Sequence, residues 1–76
     1  MSKKPVIVLV NRRALIARID WALIKRGHEL RIARRGGMNN FLVIDTSRQA
    51  IADNDDDLEK LARRVGTMEP WERLAD

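Results

Sequence analysis

The spacing of hydrophobic positions changes several times along the chain, and each change predicts a secondary-structure element. Residues 6–10 (Val-Ile-Val-Leu-Val) lie between a proline and Asn11 and predict a short strand; a lead-in to the following helix is the alternative. Residues 12–26 have apolar positions at helical spacing and predict a helix. Asn11 is its predicted N-cap, and Gly27 is its predicted C-terminal cap in the left-handed backbone conformation. The alternation of residues 29–34 then predicts a half-buried strand.

The middle of the chain predicts two more strands. Residues 35–40 contain two adjacent glycines and predict a turn or a flexible hairpin loop. Residues 41–44 are apolar on both faces, which favours a central strand. Turn-forming residues at 45–49 and apolar residues at 50–52 predict a turn and a short returning strand.

The last third of the chain predicts a second helix and a short ending. Asp56 and Glu59 have the spacing of a capping box, and apolar residues at helical spacing follow until Gly66. Pro70 predicts a single helical turn at the end. The order (β)-α-β-β-β-α predicts an α+β fold, with a three-stranded antiparallel meander and both helices on one face. The predicted core is Leu15, Ile19, Leu23, Val43, Leu58, Leu61 and Val65.

Several segments also carry a resemblance to known sequences. They are ALIARI at residues 14–19 with Leu23 and the Leu-Arg pair at 30–31, FLVID at 41–45, DLEKLAR at 57–63 and PWERL at 70–74. Together they resemble a family of short hypothetical proteins from proteobacteria, which has an amphipathic helix, a YYIVD-like strand, a DLExLAR helix and a PWExL ending. The resemblance covers most of residues 14–76 and leaves out residues 6–10. The family has no assigned activity, so the resemblance implies a compact domain and transfers no catalytic or binding residue.

The length and the cysteine count limit the class of protein. With 76 residues the chain is expected to form a single small domain, residues 1–76, with residues 1–4 as a flexible basic tail. It has no cysteine, so disulfides are excluded, which favours a reducing compartment; oligomerisation is another way to stabilise so small a core. The N-terminal apolar run of five residues is shorter than a signal peptide or a membrane span requires. We therefore expect a cytoplasmic protein with no membrane partner.

The distribution of charge suggests a polyanionic partner. Residues 1–35 hold ten Lys/Arg and two Asp/Glu, a net +8, whereas residues 36–76 hold five Lys/Arg and nine Asp/Glu, a net −4. One hypothesis is weak, sequence-independent binding of nucleic-acid phosphates. A head-to-tail contact between copies of the chain and a well-solvated surface are the alternatives. The element order echoes a double-stranded-RNA-binding domain, but the acidic start of the second helix would repel phosphates. The candidate binding residues are Arg12, Arg13, Arg18, Lys25, Arg26, Arg31, Arg34 and Arg35.

The first helix also predicts a surface for self-association. Ala14, Ala17, Trp21 and Ile24 form a second apolar stripe, which a single sheet face cannot cover. A homodimeric interaction module without a nucleic-acid partner is therefore the second hypothesis. The alternative is that the C-terminal turn or residues 6–10 cover the stripe within one chain.

No combination of residues predicts catalysis. His28 is the only histidine, and no hydroxyl group is placed to form a triad with it. Residues 53–57 have carboxylates at the first, third and fifth positions of a calcium loop, but Leu58 replaces the turn glycine and Arg64 the bidentate glutamate. The acidic run is explained by its position before a helix, because negative side chains interact favourably with the dipole at a helix N-terminus. We expect no enzyme activity, no cofactor, no metal site and no small-molecule substrate.

Overall fold

A computed structural model describes residues 6–75 as an α+β fold. Its elements are β1 (Val8–Asn11), α1 (Arg12–Ile24), β2 (His28–Arg35), β3 (Met38–Asp45), β4 (Ala50–Asp55), α2 (Leu58–Val65) and β5 (Glu72–Ala75). The predicted antiparallel meander β2-β3-β4 and the two helices are confirmed. The predicted tail at residues 1–4 lies outside the described residues. None of the helices within residues 6–75 has the length and apolar character needed to span a bilayer.

The core lies between the helices and one face of the meander. Phe41 and Val43 alternate on one face of the central strand β3 and belong to the same buried cluster as the apolar residues of α1 and α2. All seven predicted core residues are buried, which confirms that prediction. Val10, Phe41 and Ala62 join them, so β1 also contributes to the core.

Side-chain and glycine caps fix the helix ends. The side chain of Asn11 accepts a hydrogen bond from the Ala14 amide at 2.7 Å, as its position before α1 predicts. The predicted cap of α2 at Asp56 is wrong by one residue: Asp57 is the N-cap and accepts from the Lys60 amide at 3.1 Å. Between β4, which ends at Asp55, and the cap, the Asp57 amide donates to the Asp55 side chain at 2.9 Å. Gly66 closes α2 with a positive φ of 85°.

The two ends of the chain form a parallel pair of strands, β1 and β5. Residues 6–10 are confirmed as a strand in their second half, because β1 begins at Val8. The predicted C-terminal helical turn is wrong: the chain turns at residues 69–72 and then extends as β5. The Val8 amide donates to the Trp71 carbonyl at 2.9 Å, so the backbone here bonds across to β1 rather than within a helix.

Candidate nucleic-acid interface

A two-stranded arm extends beyond the meander. Strands β2 and β3 pair up to Arg35 and Met38, whereas β4 pairs with β3 only as far as Phe41. Residues 33–40, the hairpin arm, therefore pair only with each other. The arm extends about 13 Å past the three-stranded sheet, from the rise of four strand residues.

The turn of the hairpin arm depends on its two glycines. Gly36 and Gly37 have φ values of 56° and 81°, and both follow β2 directly. Positive φ at both central residues is the geometry of the two-residue turn that matches the twist of paired strands. Of the two alternatives predicted at residues 35–40, the turn is confirmed at Gly36 and Gly37. The flexible loop is wrong, because residue 35 belongs to β2 and residues 38–40 belong to β3.

Arg34 and Arg35 lie near the tip of the hairpin arm on opposite faces. Successive strand residues alternate in direction, so Arg34 shares a face with its partner Asn39, and Arg35 shares the other with Met38. Both arginines are exposed. Within residues 6–75 neither side chain has a salt bridge or a hydrogen bond. Their charges are available to a ligand.

Arg12 and Arg13 begin α1, and Arg12 lies beside the base of the hairpin arm. The Arg12 guanidinium lies 5.7 Å from the centre of the Phe41 ring. Phe41 pairs with Ile32, which is two residues before Arg34 on the same face of β2. Arg12 and Arg34 therefore lie on the same side of the hairpin, and Arg34 is about 7 Å further along β2 than Ile32. Arg13 is exposed.

Three of the predicted arginines bind other parts of the chain. Arg18 bonds to the Glu72 carboxylate at 2.9 Å, and Arg26 donates to the Val65 carbonyl at 3.2 Å, at the end of α2. Arg31 pairs with Glu29 at 2.7 Å on β2. The two carboxylate contacts, of Arg18 and Arg31, offset part of the charge that the sequence assigned to a ligand surface.

Lys25 and the apolar stripe lie elsewhere on α1. Lys25 follows the helix, and its ammonium lies 5.1 Å from the Trp21 ring centre. A helix of this length separates it from Arg12 by about 20 Å. In the stripe, Ala14 is partly buried against the core, whereas Ala17, Trp21 and Ile24 are exposed. The eight basic residues therefore do not form one continuous surface.

The acidic run of residues 53–57 is mostly occupied by its own contacts. Arg64 bonds to Asp53 at 3.2 Å and to Asp55. The Arg64 hydrogen bond, followed by the amide of Asp57, lowers the pKa of Asp55. Asp56 is exposed and borders the shallow surface depressions that contain Arg35 and Arg12. One uncompensated carboxylate therefore lies near the base of the hairpin arm.

The sequence analysis missed Met38 and Asn39 as tip residues. The two glycines were recognised as a turn or loop, but a glycine pair between two extended runs also predicts that the strands continue up to the pair. Within the described part of the chain, no group of three or more histidine, cysteine or acidic residues could hold a metal ion. No protein-family model, curated protein or solved structure matches the chain. The resemblance to the proteobacterial family therefore stays a prediction.

Proposed function

We propose that this protein binds nucleic acid weakly and without sequence preference, through phosphate contacts of the hairpin arm. The observation that carries the proposal is the position of Arg34 and Arg35, exposed and without an acidic partner in residues 6–75, near the tip of a two-stranded arm. An arm can carry charge into a groove that a flat surface cannot enter. Arg12 at the base of the arm, and the exposed Arg13 next to it in sequence, add positive charge to this part of the surface.

The opposite directions of the two tip arginines suit a duplex. A two-stranded ribbon fits the major groove of B-form DNA, which is about 12 Å wide. A ribbon that enters the groove tip-first turns one face toward each of the two DNA backbones. Arg34 and Arg35 would then contact phosphates of different DNA strands. The major groove of duplex RNA is too narrow for side chains to read. The proposal therefore favours duplex DNA over duplex RNA.

The charges around the hairpin arm keep the proposed binding weak. Two tip arginines, with Arg12 and Arg13, neutralise on the order of two to four phosphates, which corresponds to a log–log salt slope of about −2 to −4. Asp56 repels a phosphate that approaches the base of the arm. Binding of this kind has a dissociation constant in the micromolar range or weaker at physiological salt.

Fluorescence anisotropy with a labelled DNA duplex, over a series of salt concentrations, tests the proposal. We expect the double variant Arg34→Ala, Arg35→Ala to weaken binding and to reduce the slope by about two. Asp56→Asn should tighten binding or leave it unchanged. No binding of the unmodified protein at low salt would refute the proposal.

Arg48→Ala provides the matched control. Arg48 is 83% exposed in its side chain and lies in the β3–β4 turn, at the opposite end of the sheet from the hairpin arm. Its removal lowers the net charge by one without changing the arm. If Arg48→Ala and Arg34→Ala weakened binding equally, the contact would depend on net charge and the arm would not be the site.

The second candidate function is self-association, and a specific observation favours it. Among residues 6–75, ten large apolar side chains are exposed, including Trp21 and Ile24 of the α1 stripe. An interaction module would bury part of this surface. The absence of enzyme activity and the cytoplasmic location remain predictions from the sequence.

A further inference from the structure

The parallel pair β1–β5 has one closed edge and one open edge. In an extended strand, the amide and carbonyl groups of successive residues point to alternate sides. On the outer side of β5, the Glu72 carbonyl accepts from Arg63 at 2.7 Å and the Leu74 amide donates to Glu59 at 2.7 Å. Side chains of α2 thus satisfy the outer edge of β5.

The outer edge of β1 has no such protection. The Val8 amide points toward β5, because it bonds to Trp71. The backbone groups of Ile7 and Leu9 therefore point to the other side, where the structure pairs no strand with β1. No side-chain hydrogen bond among residues 6–75 reaches that edge. A parallel pair is ordinarily found inside a larger, covered sheet, so this one is incomplete.

The same segment exposes four consecutive apolar side chains. Val6, Ile7, Val8 and Leu9 are 70%, 60%, 43% and 66% exposed. An open edge with an apolar run is a template for pairing with another strand. Native proteins usually protect such an edge with charge or a bulge, and residues 6–10 have neither.

We propose that β1 of one copy pairs with β1 of a second copy, antiparallel, about a twofold axis at Leu9. The pairing joins two β1–β5 pairs into one four-stranded sheet in the order β5-β1-β1-β5. It is an interaction surface separate from the hairpin arm and does not depend on nucleic-acid binding.

The register of this pairing follows from the edge itself. A twofold axis at Leu9 places Leu9 opposite its own copy and Ile7 opposite Asn11. All of these residues have outward amides, because they alternate with Val8 and Val10. Each Leu9 then donates to and accepts from the other, which is the closely bonded pair of an antiparallel ladder. The edge is therefore complementary to itself, as a twofold interface requires.

The size of the surface determines how strong the dimer is. At their present exposures, the four side chains supply on the order of 200 Å² of apolar surface per copy. A standard interface buries about 800 Å² per partner. Burial at β1 is thus well below that size even when the strand backbone is added, and the dimer should be weak and reversible.

The charges beside β1 determine how the dimer responds to salt. Each copy carries a net charge of +4, and Arg12 and Arg13 directly follow β1, so two paired copies repel each other. Salt screens this repulsion, so the dimer should strengthen as salt rises. Nucleic-acid binding has the opposite salt dependence, which keeps the two proposals distinguishable.

Sedimentation equilibrium of the full chain without nucleic acid, from micromolar to millimolar protein at low and high salt, tests the pairing. We expect a monomer–dimer equilibrium that shifts toward dimer at high salt. Leu9→Lys should weaken the dimer at least tenfold, because it places two ammonium groups at the axis. Leu9→Pro removes the outward amide and should weaken it as well. Circular dichroism of each variant checks that the fold is retained.

Trp21→Glu is the matched control on the other apolar surface. It should leave the dimer unchanged, because Trp21 lies on the α1 stripe and not on β1. A dimer that Trp21→Glu abolishes and Leu9→Lys leaves intact would overturn the proposal and assign self-association to α1. A monomer at millimolar concentration in high salt would also overturn it. Slowed amide exchange of Leu9 at high protein concentration would support it.

Discussion

Nη1 of Arg18 lies 2.9 Å from both carboxylate oxygens of Glu72, across 54 positions of sequence. The contact ties α1 to β5, and Glu72 is the buried charged residue of the described chain. A second bond holds the same carboxylate: the Glu69 amide donates to Oε1 at 2.9 Å. An arginine that the charge distribution had assigned to a ligand thus helps to hold the C-terminal strand in place.

Removal of either partner should destabilise the protein. Arg18→Ala leaves the Glu72 carboxylate without its cation, so the melting temperature should fall. Glu72→Gln should lower it less, because a side-chain oxygen can still accept from the Glu69 amide. Thermal unfolding of both single variants and the double variant measures the coupling. Strictly additive losses would show that the pair contributes no coupling energy.

Acid should destabilise the fold through the same carboxylate. The Glu69 amide, and then Arg18, lower the pKa of Glu72 below its ordinary value. A lowered folded-state pKa stabilises the fold above the unfolded pKa of about 4.3, and this contribution is lost as the pH falls through the folded value. The melting temperature should therefore decrease below about pH 4, and Glu72→Gln should flatten this decrease. An equally steep decrease in that variant would contradict the assignment.

Leu61 tests the core. It is fully buried in the cluster between the helices and β3, so Leu61→Ala should cost about 2–5 kcal/mol. Such a loss is a large part of the stability of a small domain. Leu9→Ala is the control: this side chain is mostly exposed, so the change should stay within about 0.5 kcal/mol. Urea unfolding measures both, and equal losses would contradict the assigned core.

Gly36 tests the turn of the hairpin arm. Its φ of 56° lies in the left-handed region, and a Cβ there would meet no other atom. Gly36→Val should therefore act through backbone strain alone, at about 1–2 kcal/mol. Gly36→Asn is the matched variant and should be tolerated, since Asn-Gly suits this turn. Faster amide exchange of residues 33–40 in the valine variant alone is the expected result; the same exchange in both would contradict the turn assignment.

The amino-acid pattern predicted those parts of the fold that depend on local chemistry. Periodic apolar positions identified both helices and the predicted core residues, because burial on one face fixes the spacing of residues such as Leu15 and Ile19. Asn11 and Gly66 identified a helix start and a helix end, because cap geometry demands those residue types. The central position of β3 followed from its two apolar faces.

Only the tertiary structure decided which distant segments meet. Residues 70–74 have a local sequence that suits a helical turn, but from Glu72 onward the chain forms β5, because β1, more than sixty residues earlier, offers it a hydrogen-bonding partner. In the same way, the sequence did not distinguish Arg18 from Arg34, and both were candidate binding residues. The fold binds Arg18 to Glu72 and leaves Arg34 near the end of an arm, because the availability of a charge depends on its neighbours in space.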